Sequence, residues 1–159
     1  MTTRVIGIGS AAAGDDAVGL VVLDALRATE VPRGVELHAV TEATRLVPLL
    51  DGCKEVVLVD AVIGAGAPGE VHVLDGSALE SRRMQLLSSH GLSVADAVAL
   101  ARAVYGAAAL SDLYIVGIGV DRIARGAVAL TPAVAIAVPR AVEVVMRRLR
   151  PARRFDGYG

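Results

Sequence analysis

The sequence predicts an α/β fold of three layers, a mostly parallel, five-stranded twisted sheet with helices on both faces. Three features carry this expectation. Short β-branched runs alternate along the chain with stretches of helical apolar spacing. The run Glu55-Val-Val-Leu-Val-Asp60 is apolar at consecutive positions rather than at every second one, which suits a central parallel strand covered on both sides. The connections are short and punctuated by glycine and proline, and no repeat, low-complexity tract or linker divides the 159 residues.

In chain order, Arg4–Ile8 is a short apolar run stopped by Gly9 and reads as the first strand. From Asp16 onward Val18, Val21, Val22, Ala25 and Leu26 recur at helical spacing, with Asp15 and Asp16 at the helix end that favours negative charge. Val35–Val40 alternates as the second strand, and Leu46–Leu50 forms a short helix ended by Asp51-Gly52. The third strand, Glu55–Asp60, is expected to end at its acid. Gly64–Gly69 is a turn-rich loop, after which Glu70–Leu74 alternates as a half-exposed edge strand. Residues 77–89 support no assignment. Ser93 followed by Asp96 is a capping-box pattern for a helix within Leu92–Val104, and Leu113–Ile118 is the fifth strand. Thr131 as N-cap and Pro132 at the first helical position open a last helix that runs to about Leu149. The expected organisation is one domain over residues 1–150 and a basic tail over 151–159.

Composition narrows the function. With one cysteine, Cys53, no intramolecular disulfide can form, so a reducing, cytoplasmic setting is the default expectation. Residues 1–9 lack the pattern of a signal peptide, and no apolar run reaches the roughly 18 residues needed to span a bilayer. A net charge of −1 gives no attraction to nucleic acid or anionic lipid, and the basic cluster from Arg147 to Arg154 reads as a solvated helix end. There is no tryptophan to build a stacking platform, and the core must be aliphatic.

Ligands of doubly wound sheets collect beyond the carboxyl ends of the strands, where the strand order reverses. If the first strand lies between the second and third, the loop Gly9–Asp16 and the acid Asp60 face one crevice. A nucleotide does not suit it. After Gly7 and Gly9 the next glycine is Gly14, and Asp15-Asp16 stand where a phosphate loop carries Lys-Ser/Thr; these acids repel phosphate. The second strand, ending His38-Ala39-Val40, also lacks an acid for a ribose. Carboxylates with an imidazole suit a divalent metal such as zinc or nickel, and His90, in Ser88-Ser-His-Gly91, is the best third donor. Spacing alone leaves plainer readings open: Asp15 and Asp16 as helix N-terminal acids, Asp60 bonded to loop amides, His90 bonded to backbone. His72 reads as a surface or hydrogen-bonding residue, and so does His38 at first reading. Cys53 reads as a packing residue, and no serine sits in a G-x-S-x-G elbow.

The segments Gly7-Ile-Gly9-Ser, Gly14-Asp-Asp-Ala-Val-Gly19, Val57-Leu-Val-Asp-Ala61, Pro68-Gly69, Ser89-His-Gly-Leu-Ser-Val-Ala-Asp96, Val116-Gly-Ile118 and Leu130-Thr-Pro132 follow one another in an order and spacing that resemble the hydrogenase maturation protease family. The resemblance covers nearly the whole chain. It places the family's metal-binding acids on Asp16 and Asp60 and its histidine on His90. It implies an endopeptidase that removes a C-terminal extension from the large-subunit precursor of a nickel–iron hydrogenase after nickel insertion. The cation at the trio would be the substrate's own nickel, and no nucleotide, nucleic acid or membrane is called for; the protein is expected to act as a monomer. Whether a water activated by the cation or by a carboxylate attacks is left open by the residue types.

Two positions depart from the family pattern. Ser10 stands where asparagine is usual. After the second strand the family's Asp-Gly-Gly-Thr stretch is replaced by His38-Ala-Val-Thr-Glu42, in which Thr41 alone is retained. Ala39 and Val40 disfavour the positive φ and close backbone approach that glycines allow. His38, Thr41 and Glu42 thereby become the candidate substrate-recognition residues of a divergent protease. The rival readings are a factor that binds metal or precursor without cutting it, and a small-molecule metallohydrolase.

Overall fold

Five strands, β1 (Thr3–Ile8), β2 (Val35–Val40), β3 (Glu55–Ile63), β4 (Val71–Asp75) and β5 (Leu113–Val120), form one sheet in the order β2-β1-β3-β5-β4. All neighbours are parallel except β4, which runs antiparallel to β5 at the edge. The computed structural model describes residues 2–10, 14–64, 66–76, 93–106, 112–121 and 128–150. The basic tail from residue 151 lies outside them.

Strand alternation sends neighbouring side chains to opposite faces, which builds two cores. Val57, Val59 and Ala61 of β3 pack with α1 (Val18–Arg27) and with the last helix, α4 (Pro132–Leu149). Val56, Leu58 and Val62 pack on the other face with α2 (Leu46–Leu49) and α3 (Val94–Tyr105). The three layers expected from sequence are therefore present, and β1 lies between β2 and β3 as the crevice requires.

The sequence reading ends β3 at Asp60, but the strand continues to Ile63. Ala61, Val62 and Ile63 keep up the apolar, β-branched pattern and pair with Ile118, Gly119 and Val120 of β5, so one acid does not stop the ladder. The β1 ladder, by contrast, stops at Gly7 opposite Val59. Asp60 is thus the first residue of β3 beyond its β1 neighbour, flanked by β5 on one side and by the exit of β1 on the other.

Two glycines bring α1 down onto this exit. A Cβ on Gly19 would collide with the carbonyl oxygens of both Ile8 and Val59, and one on Gly9 would collide with the carbonyl oxygen of Asp16. Only hydrogen at these positions lets the first turn of α1 sit against the ends of β1 and β3, one residue from Asp60.

Candidate active site

Asp16 lies in a 3-10 turn, Gly14–Ala17, that leads directly into α1. Gly14 takes φ +57°, a conformation that favours glycine. Gly9 donates its N–H to the carbonyl of Val40 at 3.1 Å, and Ser10 donates its backbone N–H to the carbonyl of Asp16 at 3.3 Å, so the turn is tied to the end of the sheet.

Three acids are buried in the described residues: Asp15 at 6%, Asp16 at 2% and Asp60 at 1% exposure. Their bonding separates them. Asp15 accepts the backbone N–H of Thr131 at 2.7 Å on Oδ1 and the Thr131 hydroxyl at 2.9 Å on Oδ2. Both of its oxygens are committed. Asp60 accepts the N–H of Ala61 at 2.8 Å on Oδ1. Its Oδ2, and Oδ1 of Asp16, are buried without a hydrogen-bond partner among the described residues.

A buried carboxylate oxygen with no donor is an unstable arrangement unless it is protonated or neutralised by a cation. Burial pushes the Asp60 carboxyl well above its ordinary pKa, an effect that the Ala61 N–H opposes and the nearby charge of Asp16 reinforces. Burial likewise raises the pKa of Asp16. The two carboxyls are therefore within electrostatic reach of each other, and each offers one free oxygen in a desolvated crevice. That donor set suits a hard or borderline divalent cation. Among the described residues no third His, Cys, Asp or Glu completes a metal cluster with them. His90, the third donor expected from the sequence, lies outside the described residues.

The other expected site residues sit at the β2 side. His38 lies within 3.3 Å of Oε2 of Glu36, the carboxylate that also pairs with Arg4 at 2.9 Å, so its ring is engaged toward the start of β2. Thr41 and Glu42 are exposed just past the end of β2, whose last residue, Val40, bonds Gly9. They follow the carboxyl end of β2, the same end of the sheet as Asp60, with Glu42 4.0 Å from Arg45. Of the sequence candidates, the fold thus brings Asp16 and Asp60 together, leaves Thr41 and Glu42 exposed past the end of β2, and holds His38 beside the Arg4–Glu36 ion pair.

Asp15 is the residue whose part sequence reasoning missed. The acid reads locally as an N-terminal residue of the first helix, yet no side chain caps α1, and Asp15 instead holds the start of α4, 116 residues away. No local pattern links the two positions. The basic cluster is likewise absorbed in part by the fold. Arg148 pairs with Glu55 at 2.9 Å and lies 3.4 Å over the ring of Tyr114, beside a groove at the opposite end of the sheet from the acids.

The sequence model of the hydrogenase maturation protease family matches residues 20–148. The chain belongs to that family. Its members are peptide-bond hydrolases, which makes this protein an enzyme of the same kind. Among solved structures, the hydrogenase maturating endopeptidase HybD from E. coli is 25% identical, with a TM-score of 0.81 over 94% of this chain and 93% of that one. The nickel–iron hydrogenase maturation protease HybD from Thermococcus kodakarensis shares the fold at 23% identity and a TM-score of 0.70, covering 94% and 100% of the two chains. HycI from Thermococcus kodakarensis KOD1 does so at 21% identity and 0.69, covering 94% and 93%. No curated protein sequence matches the chain. No described helix of this maturation protease is long and apolar enough to cross a membrane.

Proposed function

We propose that this maturation protease removes a C-terminal extension from the nickel-loaded large-subunit precursor of a nickel–iron hydrogenase, and that Asp16, Asp60 and His90 meet the substrate's nickel. The observation that carries this reading is the pair of buried oxygens without partners among the described residues, Oδ1 of Asp16 and Oδ2 of Asp60, at the carboxyl end of the β1–β3 ladder. Neutral hydrogen-bonded acids would need no third party; these do. Nickel arrives with the precursor, so binding it would report cofactor loading and bring the scissile bond to the crevice together.

The chain's own residues then have separate tasks. Asp60, held by the Ala61 N–H and shut off from solvent, presents Oδ2 in a fixed direction. Asp16 presents Oδ1 from the turn beside it. The cation, when present, supplies positive charge near the scissile amide. The attacking water would give up its proton with the help of a crevice carboxylate or of the cation, both of which fit these residue types. Thr41 and Glu42, exposed past the end of β2, would contact the precursor, and the departure of the 38–42 segment from the family pattern implies a precursor of a different hydrogenase class.

Incubating the protein with nickel-loaded precursor and measuring the precursor's mass tests the proposal. A shortened precursor is expected, with loss of shortening in Asp16→Asn. A stable complex without shortening would favour the reading of a non-cleaving binding factor. Cleavage of simple substrates without a nickel-loaded protein would favour a small-molecule hydrolase.

A further inference from the structure

The helix that the Asp16 turn leads into has no side-chain cap. The residue at the N-cap of α1 is Ala17, which offers no side-chain acceptor, so local capping does not orient the turn. Among the described residues two tethers hold it. On one side the Asp16 carbonyl accepts the Ser10 N–H. On the other, the adjacent Asp15 side chain grips the backbone N–H and the hydroxyl of Thr131 with both oxygens.

The anchor at the far end is firm. Thr131 opens α4, an 18-residue helix that buries Val134, Ala137, Ala141 and Val145. Its first turn is also packed against the β3–β4 connection. Gly69, at φ +86°, lies so close that a Cβ there would stand 2.5 Å from the Ala133 carbonyl, and its N–H bonds the Gly119 carbonyl of β5 at 2.8 Å. Thr131 thus transmits the position of the sheet and α4 to Asp15, one peptide bond from Asp16.

We propose that Asp15 and Thr131 are a positioning pair that fixes where Asp16 presents its free oxygen. Both oxygens of Asp15 are bonded to Thr131, which makes its role positioning rather than ligation. The inference rests on the reading of Asp16 as a cation-holding residue. Residues that orient a ligand from outside the coordination sphere change metal affinity by about 10- to 100-fold when removed.

Calorimetric titration of the full chain with Ni2+ alone, alongside the thermal unfolding midpoint, tests the pair. Thr131→Val, which deletes only the hydroxyl's hydrogen bond, is expected to weaken Ni2+ binding about tenfold, while Thr131→Ser, which keeps the hydroxyl, retains it. Asp15→Ala is expected to lose affinity as Thr131→Val does. Asp15→Asn, whose amide can still pair with both groups of Thr131, is expected to keep it. Comparable affinity in Thr131→Val and the unsubstituted protein would overturn the positioning role, provided Asp16→Asn weakens binding. Unchanged binding in Asp16→Asn would overturn the metal-site reading and the inference with it. Loss in Asp15→Asn as complete as in Asp16→Asn would make Asp15 a ligand and overturn the inference alone. If Thr131→Val does not fold, the contrast between Asp15→Ala and Asp15→Asn decides.

Discussion

Asp16 and Asp60 are carboxyls folded into surroundings that penalise their charge, and this has a measurable sign. A carboxyl whose pKa is higher in the folded than in the unfolded chain takes up a proton on folding between the two values. Burial raises both here, so the metal-free protein should lose stability as pH rises from the ordinary carboxyl value near 3.8 through the raised values. Urea unfolding of metal-free protein across pH 4–8 checks this, with the slope carried mostly by Asp60 and flattened in Asp60→Asn. The same substitution should raise the urea midpoint at pH 7, because an amide keeps the Ala61 N–H bonded without a buried charge. It should also abolish Ni2+ binding. Asp60 was legible as a site candidate because an acid closing an apolar run is conspicuous. That Asp15 would be fully bonded and Asp16 left with a free oxygen was not legible, because the two are adjacent and chemically identical, and a residue 116 positions away distinguishes them.

At the scale of elements, the glycines of the first loop act through steric permission. Gly19→Ala would drive a Cβ into two main-chain carbonyls that cannot yield separately. A loss of about 1–3 kcal/mol in unfolding free energy is expected from such overpacking, with a weaker Ni2+ affinity because α1 is pushed from β3. Ser93→Ala provides a contrast on the other face. Ser93 and Asp96 form the capping box predicted from their spacing, with the Asp96 N–H donating to the Ser93 hydroxyl at 3.1 Å. Its removal should reduce stability by about 0.5–2 kcal/mol, read by chemical denaturation. Motifs of this kind are local, which is why Ser93-x-x-Asp96 and Thr131-Pro132 both marked true helix starts. Where an element's end depends on a partner strand, local reading fails. β3 runs past Asp60 because β5 is there to pair with Ala61–Ile63, and the Thr131 hydroxyl turns to Asp15 because α4 begins beside the first loop.

For the whole molecule, the order β2-β1-β3-β5-β4 places the Asp16 turn and Asp60 at one crevice, an arrangement that follows from alternating strands and helices once β1 is central. The chain's order of motifs made the family legible as well. Its substrate is harder to read, since Thr41 and Glu42 are exposed residues whose worth depends on a second protein. Glu42→Ala should leave the unfolding free energy within about 0.5 kcal/mol, as exposed substitutions do, and act on the KM for precursor rather than on kcat. The central claim is that Asp16 and Asp60, each with one buried oxygen unpartnered among the described residues, serve cleavage of a nickel-bearing precursor. Intact-mass measurement of a precursor presented with and without nickel, to the unsubstituted protein and to Asp16→Asn, tests it most directly. The account predicts shortening only for the nickel-loaded precursor with the unsubstituted protein; shortening by Asp16→Asn, or of the nickel-free precursor at the same rate, would contradict it.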